Sequence, residues 1–210
     1  MAKLNFNVLG FIYEDGIRNL RKMCDAASEG LNRHLQASYD DVDRYDRDAN
    51  AGTPEQVERD NETGQVIYDH RDTLIYHTTT AEEAKSTLNK SIAITAFHHW
   101  ERSARDWTKM PQNKNFFELR AAVTAKGYPV TADLGILYLL ANLLKHGNPR
   151  HGAELYQKRR DFFRREFDPS DSSVEWFAEI DLSDGQVSEI FDIIAGSGPT
   201  SKSIFTVQSA

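Results

Sequence analysis

A single cysteine, Cys24, stands in a chain of 210 residues. One thiol has no intrachain disulfide partner and no second sulfur for a thiolate metal cage, so a reducing cytoplasm is the expected compartment. Long apolar runs are missing as well. The longest, residues 134–144, falls far short of the roughly 20 residues a bilayer-crossing helix needs, which leaves a buried helix and no expected membrane partner. The opening stretch "MAKLNFNVLGFIYEDG" is interrupted by Asn5 and Asn7 and has no small-residue cleavage site, so it is expected to belong to the mature fold.

Several chemical signatures are absent too. There is no Walker loop, GxGxxG, GxSxG or HExxH. "DRDANAG", residues 46–52, imitates a calcium loop, but Ala51 and Val57 stand where such a loop needs Gly and Glu. His98 and His99 are adjacent and point about 100° apart on a helix, so they cannot share a metal. His98, His146 and His151 with Glu101 could meet only through tertiary contact. No cofactor or metal is therefore expected, and a metal-dependent hydrolase is the least supported of three function classes.

What is present is charge, unevenly spread over a net −7. Residues 40–64 hold nine acids against Arg44, Arg47 and Arg59. With little apolar content and with Gly52 and Pro54, they read as an acidic solvated loop, a helix start at Pro54 being the one element in it. Residues 145–166 hold seven Lys and Arg against Glu154, Asp161 and Glu166, a basic segment in an acidic protein.

Apolar residues recur at helical spacing in several places. Ile17, Leu20, Cys24, Ala27, Leu31 and Leu35 predict a helix over residues 15 to about 38. Residues 65–80 suit strand or helix, with helix preferred. Thr80 and Glu83 form a capping-box pattern ahead of the stripe Leu88, Ile92, Ala96, Trp100, Ala104 and Trp107, which predicts a long helix from 80 to 107. Further helices are expected over 115–126, 131–146 and 152–167, and from Asp184, as cap, to 195. "VEWFAEIDL", residues 174–182, alternates like a strand, with "LNFNV" near the N-terminus as its expected partner. The fold class is thus mainly α, a single-domain helical bundle with a small antiparallel β element joining the chain ends. Residues 168–210 read as a C-terminal appendage, with Gly196, Gly198 and Pro199 as a tail.

Two clusters could carry chemistry. Asn142 and His146, four apart, share one face where a helix ends in "KHG"; the same ending is good capping, with cations at the carbonyl end and Gly147 at a left-handed position. On the long helix, Glu101 and Arg105 are also four apart and can pair. Packed together, the two helices would bring Glu101, Arg105, Asn142 and His146 into one cleft.

"AFHHWERSARDW", residues 96–107, and "LLANLLKHG", residues 139–147, resemble the two helical signatures of uncharacterised bacterial proteins related to the HEPN superfamily of α-helical domains. The matched order covers about residues 80–165. Many HEPN-like proteins are metal-independent ribonucleases in which four to six residues separate an Arg from a following His. Here Leu139, Leu140 and Ala141 occupy those places, and Asn142 is the nearby polar residue.

The resemblance implies a ribonuclease or a catalytically degenerate RNA-associated relative. In the catalytic case His146 moves a proton, Arg105 and Lys145 stabilise phosphate charge, Asn142 positions, and Glu101 orients Arg105 or serves as second acid or base. Arg102, Arg150, Lys158, Arg159, Arg160 and Arg164, interleaved with Phe162 and Phe163, would hold RNA. The competing class is a non-enzymatic helical protein-interaction module, expected to engage a basic partner through its acidic loop or to form a homodimer.

Overall fold

The computed structural model describes residues 6–170 and 174–202. Helix α1 runs over Val8–Asn50, well past the end that apolar periodicity predicts. Its acidic second half stays helical because polar neighbours one turn apart support one another. Arg44 pairs with Asp41 at 2.9 Å, Arg33 with Glu29 at 2.6 Å, and the Gln36 amide donates to Asp40. The acidic loop is therefore only its second part. No helix starts at Pro54; the chain instead enters a hairpin.

Strand β1 (Val57–Arg59) pairs antiparallel with β2 (Val66–Asp69). Between them, Asp60 Oδ1 accepts from the backbone N–H of Glu62 and Thr63 and from the Thr63 hydroxyl. Gly64 closes the turn at φ 69°, a conformation that disfavours a Cβ. This is the small antiparallel element of the fold, and it is formed within residues 57–69, not between the chain ends as expected. Residues 174–182 form turns with one bridge, Phe163 to Ile180. Their alternation serves packing, with Trp176 against Phe163 and Phe167. Of the expected partner, Leu4 and Asn5 lie outside the described residues. The chain ends do meet, however, as the Asn7 N–H donates to Ser201 O at 2.9 Å.

Helix α2 spans His70–Thr108. The expected capping box at Thr80 does not form, because that residue is mid-helix and its hydroxyl donates back to Tyr76 O. The start is capped earlier, by Asp69 Oδ1 accepting from the Arg71 N–H. Then follow α3 (Phe116–Ala125), α4 (Leu134–His146), α5 (Pro149–Lys158) and α6 (Asp184–Ala195). Helix α5 is shorter than predicted, ending at Lys158, and the aromatics Phe162, Phe163 and Phe167 beyond it are all buried. A 3-10 turn at Arg160–Phe162 takes over. For α6 the cap is Ser183, whose side chain accepts from the Gln186 N–H in a complete capping box.

The chain divides into two compact units, Met1–Cys24 with Asn89–Ala210, and Asp25–Leu88. The main hydrophobic cluster belongs wholly to the first. There α2 contributes Ala96, Trp100, Ala104 and Trp107, the predicted stripe, and α4 contributes Leu137, Leu140 and Leu144. The supposed appendage is part of this core: Ile180, Ile190 and Ile194 are fully buried. Ser197 takes the Trp100 indole N–H on its carbonyl at 2.6 Å and bonds Thr131. The second unit holds together differently. Its contacts are polar and aromatic: Arg71 forks onto Asp46 at 2.8 and 3.0 Å, Tyr45 packs edge-on to His70, and the Tyr39 hydroxyl donates to Glu82.

Candidate functional site

Helix α4 ends as its sequence prescribes. Gly147 adopts φ 60° and its N–H reaches Leu143 O, while Lys145 and His146 are exposed on the last turn beside the unpaired carbonyls. The Asn142 amide donates to Tyr138 O of its own helix at 2.8 Å.

On α2, Glu101 sits between His98 at 3.3 Å and Arg105 at 3.0 Å. The Arg105 guanidinium also donates to the carbonyls of Pro111 at 2.8 Å and Lys114 at 3.0 Å, and its side chain is only 17% exposed. Arg105 thus clamps the turn between α2 and α3. Among the described residues, no hydrogen bond or ion pair joins the Glu101–Arg105 pair to Asn142 or His146.

The predicted RNA-binding residues separate into three groups. Arg159 is half-buried, forked onto Asp161 and Glu189 and lying over the Phe162 ring at 3.9 Å. Arg160 donates to the carbonyls of Arg164 and Arg165 and lies over Tyr156. Both arginines tie the chain reversal after α5 together. Arg102 and Arg164 are exposed and are not among the residues lining the groove that Arg150 and Lys158 face.

That groove is built by α3, α4 and α5 and encloses about 470 Å³. The Asn115–Glu118 capping box fixes the start of α3. From there Phe116 stacks on Tyr138 of α4 at 4.4 Å and 11°, and Phe117, 64% exposed, meets the same ring edge-on. Arg120 projects one turn further along α3. From α5 come Arg150, His151, Glu154 and Lys158, spaced so that 151, 154 and 158 share a face. His151 packs edge-on to Tyr138, and its Nδ1 is buried without a hydrogen-bond partner. Three cations, Arg120, Arg150 and Lys158, thus line the groove with one carboxylate, Glu154, which is 3.9 Å from Lys158.

Chemically this is an anion-receptive surface with an aromatic wall. Arg120 and Arg150 offer planar forks suited to phosphate, and Phe117 and Tyr138 offer ring faces. Sequence reading reached Arg150 and Lys158, and named His151 only as a possible metal ligand, but missed Arg120, Phe117 and Tyr138. The one signal for them was local, the Phe117 to Arg120 spacing of three on one short helix. No group of three His, Cys, Asp or Glu residues able to hold a metal ion occurs among the described residues.

His99, the neighbour of His98, is structural. His99 stacks on Tyr13 at 5.2 Å and 3°, and its Nε2 donates to Tyr13 O at 3.2 Å. Gly16 makes room for it, since a Cβ there would collide with the imidazole. Burial holds the His99 pKa below its ordinary value, outweighing the hydrogen bond to the carbonyl. The unfolded chain then binds the proton more readily. Stability from neutral His99 is complete above roughly pH 6.5 and is lost as pH falls from there toward the depressed folded value. Thermal melts between neutral and mildly acidic pH should therefore show a shallower decline for His99→Phe than for the wild type; parallel declines would contradict this.

Comparison with protein-family models, with curated proteins and with solved structures finds no match for this chain. Among the described residues no helix is long and apolar enough to cross a membrane.

Proposed function

We propose that the protein associates with single-stranded RNA through the groove between α3, α4 and α5, as a HEPN-like relative that lacks the ribonuclease centre. One observation carries this reading: Arg120, Arg150 and Lys158 converge on a groove whose wall is Phe117 and Tyr138. Cations meet phosphates while rings stack on bases, each stacked base contributing about 1–3 kcal/mol.

The net charge of −7 does not oppose it, because the acid is concentrated elsewhere. Residues 25–88 hold 15 acids against 6 Lys and Arg, whereas the unit carrying the groove holds 17 against 19. The degenerate reading is preferred over the catalytic one for two reasons. Arg105 spends its donors on Glu101, Pro111 O and Lys114 O. The motif arginine ahead of His146 is replaced by Leu139, Leu140 and Ala141.

Fluorescence anisotropy with a short labelled single-stranded RNA tests the proposal. Binding should weaken with salt at a log–log slope of about −2, as for three neutralised phosphates on a single strand. The RNA should remain intact in EDTA. Absence of binding at low salt overturns the proposal, and cleavage abolished by His146→Ala would restore the nuclease centre.

A further inference from the structure

The second unit carries an apolar surface that its own fold leaves open. Val66, Ile67 and Tyr68 of β2 are 49%, 66% and 39% exposed, and Tyr76, two turns into α2, is 68% exposed. With Asp69, Asp72 and Thr73 they line an open trough of about 400 Å³. Among the described residues β2 pairs with β1 on one side and with no other strand.

A two-stranded hairpin is marginal by itself in water, yet this one is held. The Gln56 N–H donates to the Tyr45 hydroxyl, the Tyr68 hydroxyl bonds His70, and Arg71 locks onto Asp46. The apolar residues are consequently presented on a prepared platform, in a unit with no share in the main hydrophobic cluster.

We propose that this trough docks an extended Lys- or Arg-rich segment of a partner protein, whose apolar residues cover Val66, Ile67 and Tyr76 while its cations meet Asp69, Asp72 and the Tyr faces. Charge selects the occupant. Residues 25–88 carry 15 acids against 6 Lys and Arg, which repels nucleic acid and repels the same surface on a second copy. Cations over Tyr68 and Tyr76 gain from the ring quadrupole as well as from the carboxylates. The trough shares no lining residue with the α3–α5 groove, and neither proposal depends on the other.

The test uses the full chain and a labelled peptide of about ten residues alternating Lys with Val, beside an analogue with Glu in place of Lys. The basic peptide should bind saturably and the acidic one should not. The double substitution Ile67→Ser with Tyr76→Ser, both at exposed positions, should weaken binding by roughly tenfold or more while the circular dichroism spectrum stays unchanged. Asp72→Asn should weaken it less and flatten its salt dependence. Failure of the basic peptide to bind overturns the proposal, as does equal binding of both peptides or binding indifferent to the double substitution. A concentration-dependent dimer in sedimentation, lost in the double variant, would assign the surface to a second copy instead.

Discussion

Trp100→Ala is expected to cost about 4 kcal/mol or more, in the range for buried aromatic truncations. Trp100 is fully buried on α2, with its ring 5.9 Å from Phe97 and 5.8 Å from Phe116. Alanine would empty this space in a region braced on several sides, where collapse cannot refill it. The loss also strands the Ser197 carbonyl, which takes the indole N–H at 2.6 Å. An unpaired buried acceptor adds about 1–3 kcal/mol. Domain stabilities of about 5–15 kcal/mol leave little margin after such a change. Urea denaturation followed by circular dichroism measures the loss. Truncation of Met23, 69% exposed on α1, should by contrast shift the midpoint hardly at all. A Trp100→Ala loss below about 1.5 kcal/mol would mean that the core is not centred on this residue.

Arg159→Ala is the second large effect, and it falls on stability where sequence reading expected RNA contact. The guanidinium makes two bonds to Asp161, at 2.9 Å each, and two to Glu189, at 2.7 and 2.8 Å, while only 16% of the side chain is exposed. The bonds from Arg159 hold the Asp161 carboxyl below the usual carboxylate range. Both acids are about half exposed and regain water when the arginine is removed, which limits the cost to about 2–3 kcal/mol. Arg159→Lys should recover less than half, because an ammonium cannot fork onto two carboxylates and cover Phe162 at once. The contribution from Asp161 is present above the ordinary carboxylate pKa and fades as pH falls through the depressed folded value. Melting curves of Arg159→Ala and wild type should therefore converge toward strongly acidic pH. RNA affinity, by contrast, should be unchanged, and a loss of affinity without a loss of stability would return Arg159 to the binding surface.

Much of the fold was legible wherever packing decides it. The Ala96, Trp100, Ala104 and Trp107 stripe and the α4 run from Leu134 to Leu144 announce buried helical faces, and Gly147 announces where the second one stops. The acidic half of α1 could not be read this way. Asp41, Arg44 and Asp46 stabilise it through ion pairs that carry no apolar period. The alternation of Val174, Trp176, Ala178, Ile180 and Leu182 misled for the converse reason: irregular chain can bury alternate residues without joining a ladder. Residues 196–200 looked like a tail because Gly and Pro are common there. In fact Gly198 lies where a Cβ would collide with Trp107 and Tyr13, so close approach accounts for the glycine.

The site was less legible than the fold. Local spacing correctly paired Glu101 with Arg105, but the backbone carbonyls of Pro111 and Lys114 that claim the same guanidinium have no sequence signature. Arg150 and Lys158 stood out as charges, yet the groove they face depends on Arg120 and Phe117 from a separate helix and on Tyr138 from between. Only tertiary structure brings those together.

The proposed RNA groove is tested most directly by reversing its charge. Arg120→Glu, Arg150→Glu and Lys158→Glu are combined in one chain, beside a control carrying Lys145→Glu and His146→Ala, and both are titrated against the same labelled single strand. The groove variant should lose roughly a hundredfold or more in affinity at low salt, with an unchanged circular dichroism spectrum, while the control binds nearly as the wild type does. A groove variant that binds like the wild type, or a control that loses binding in its place, would contradict the account.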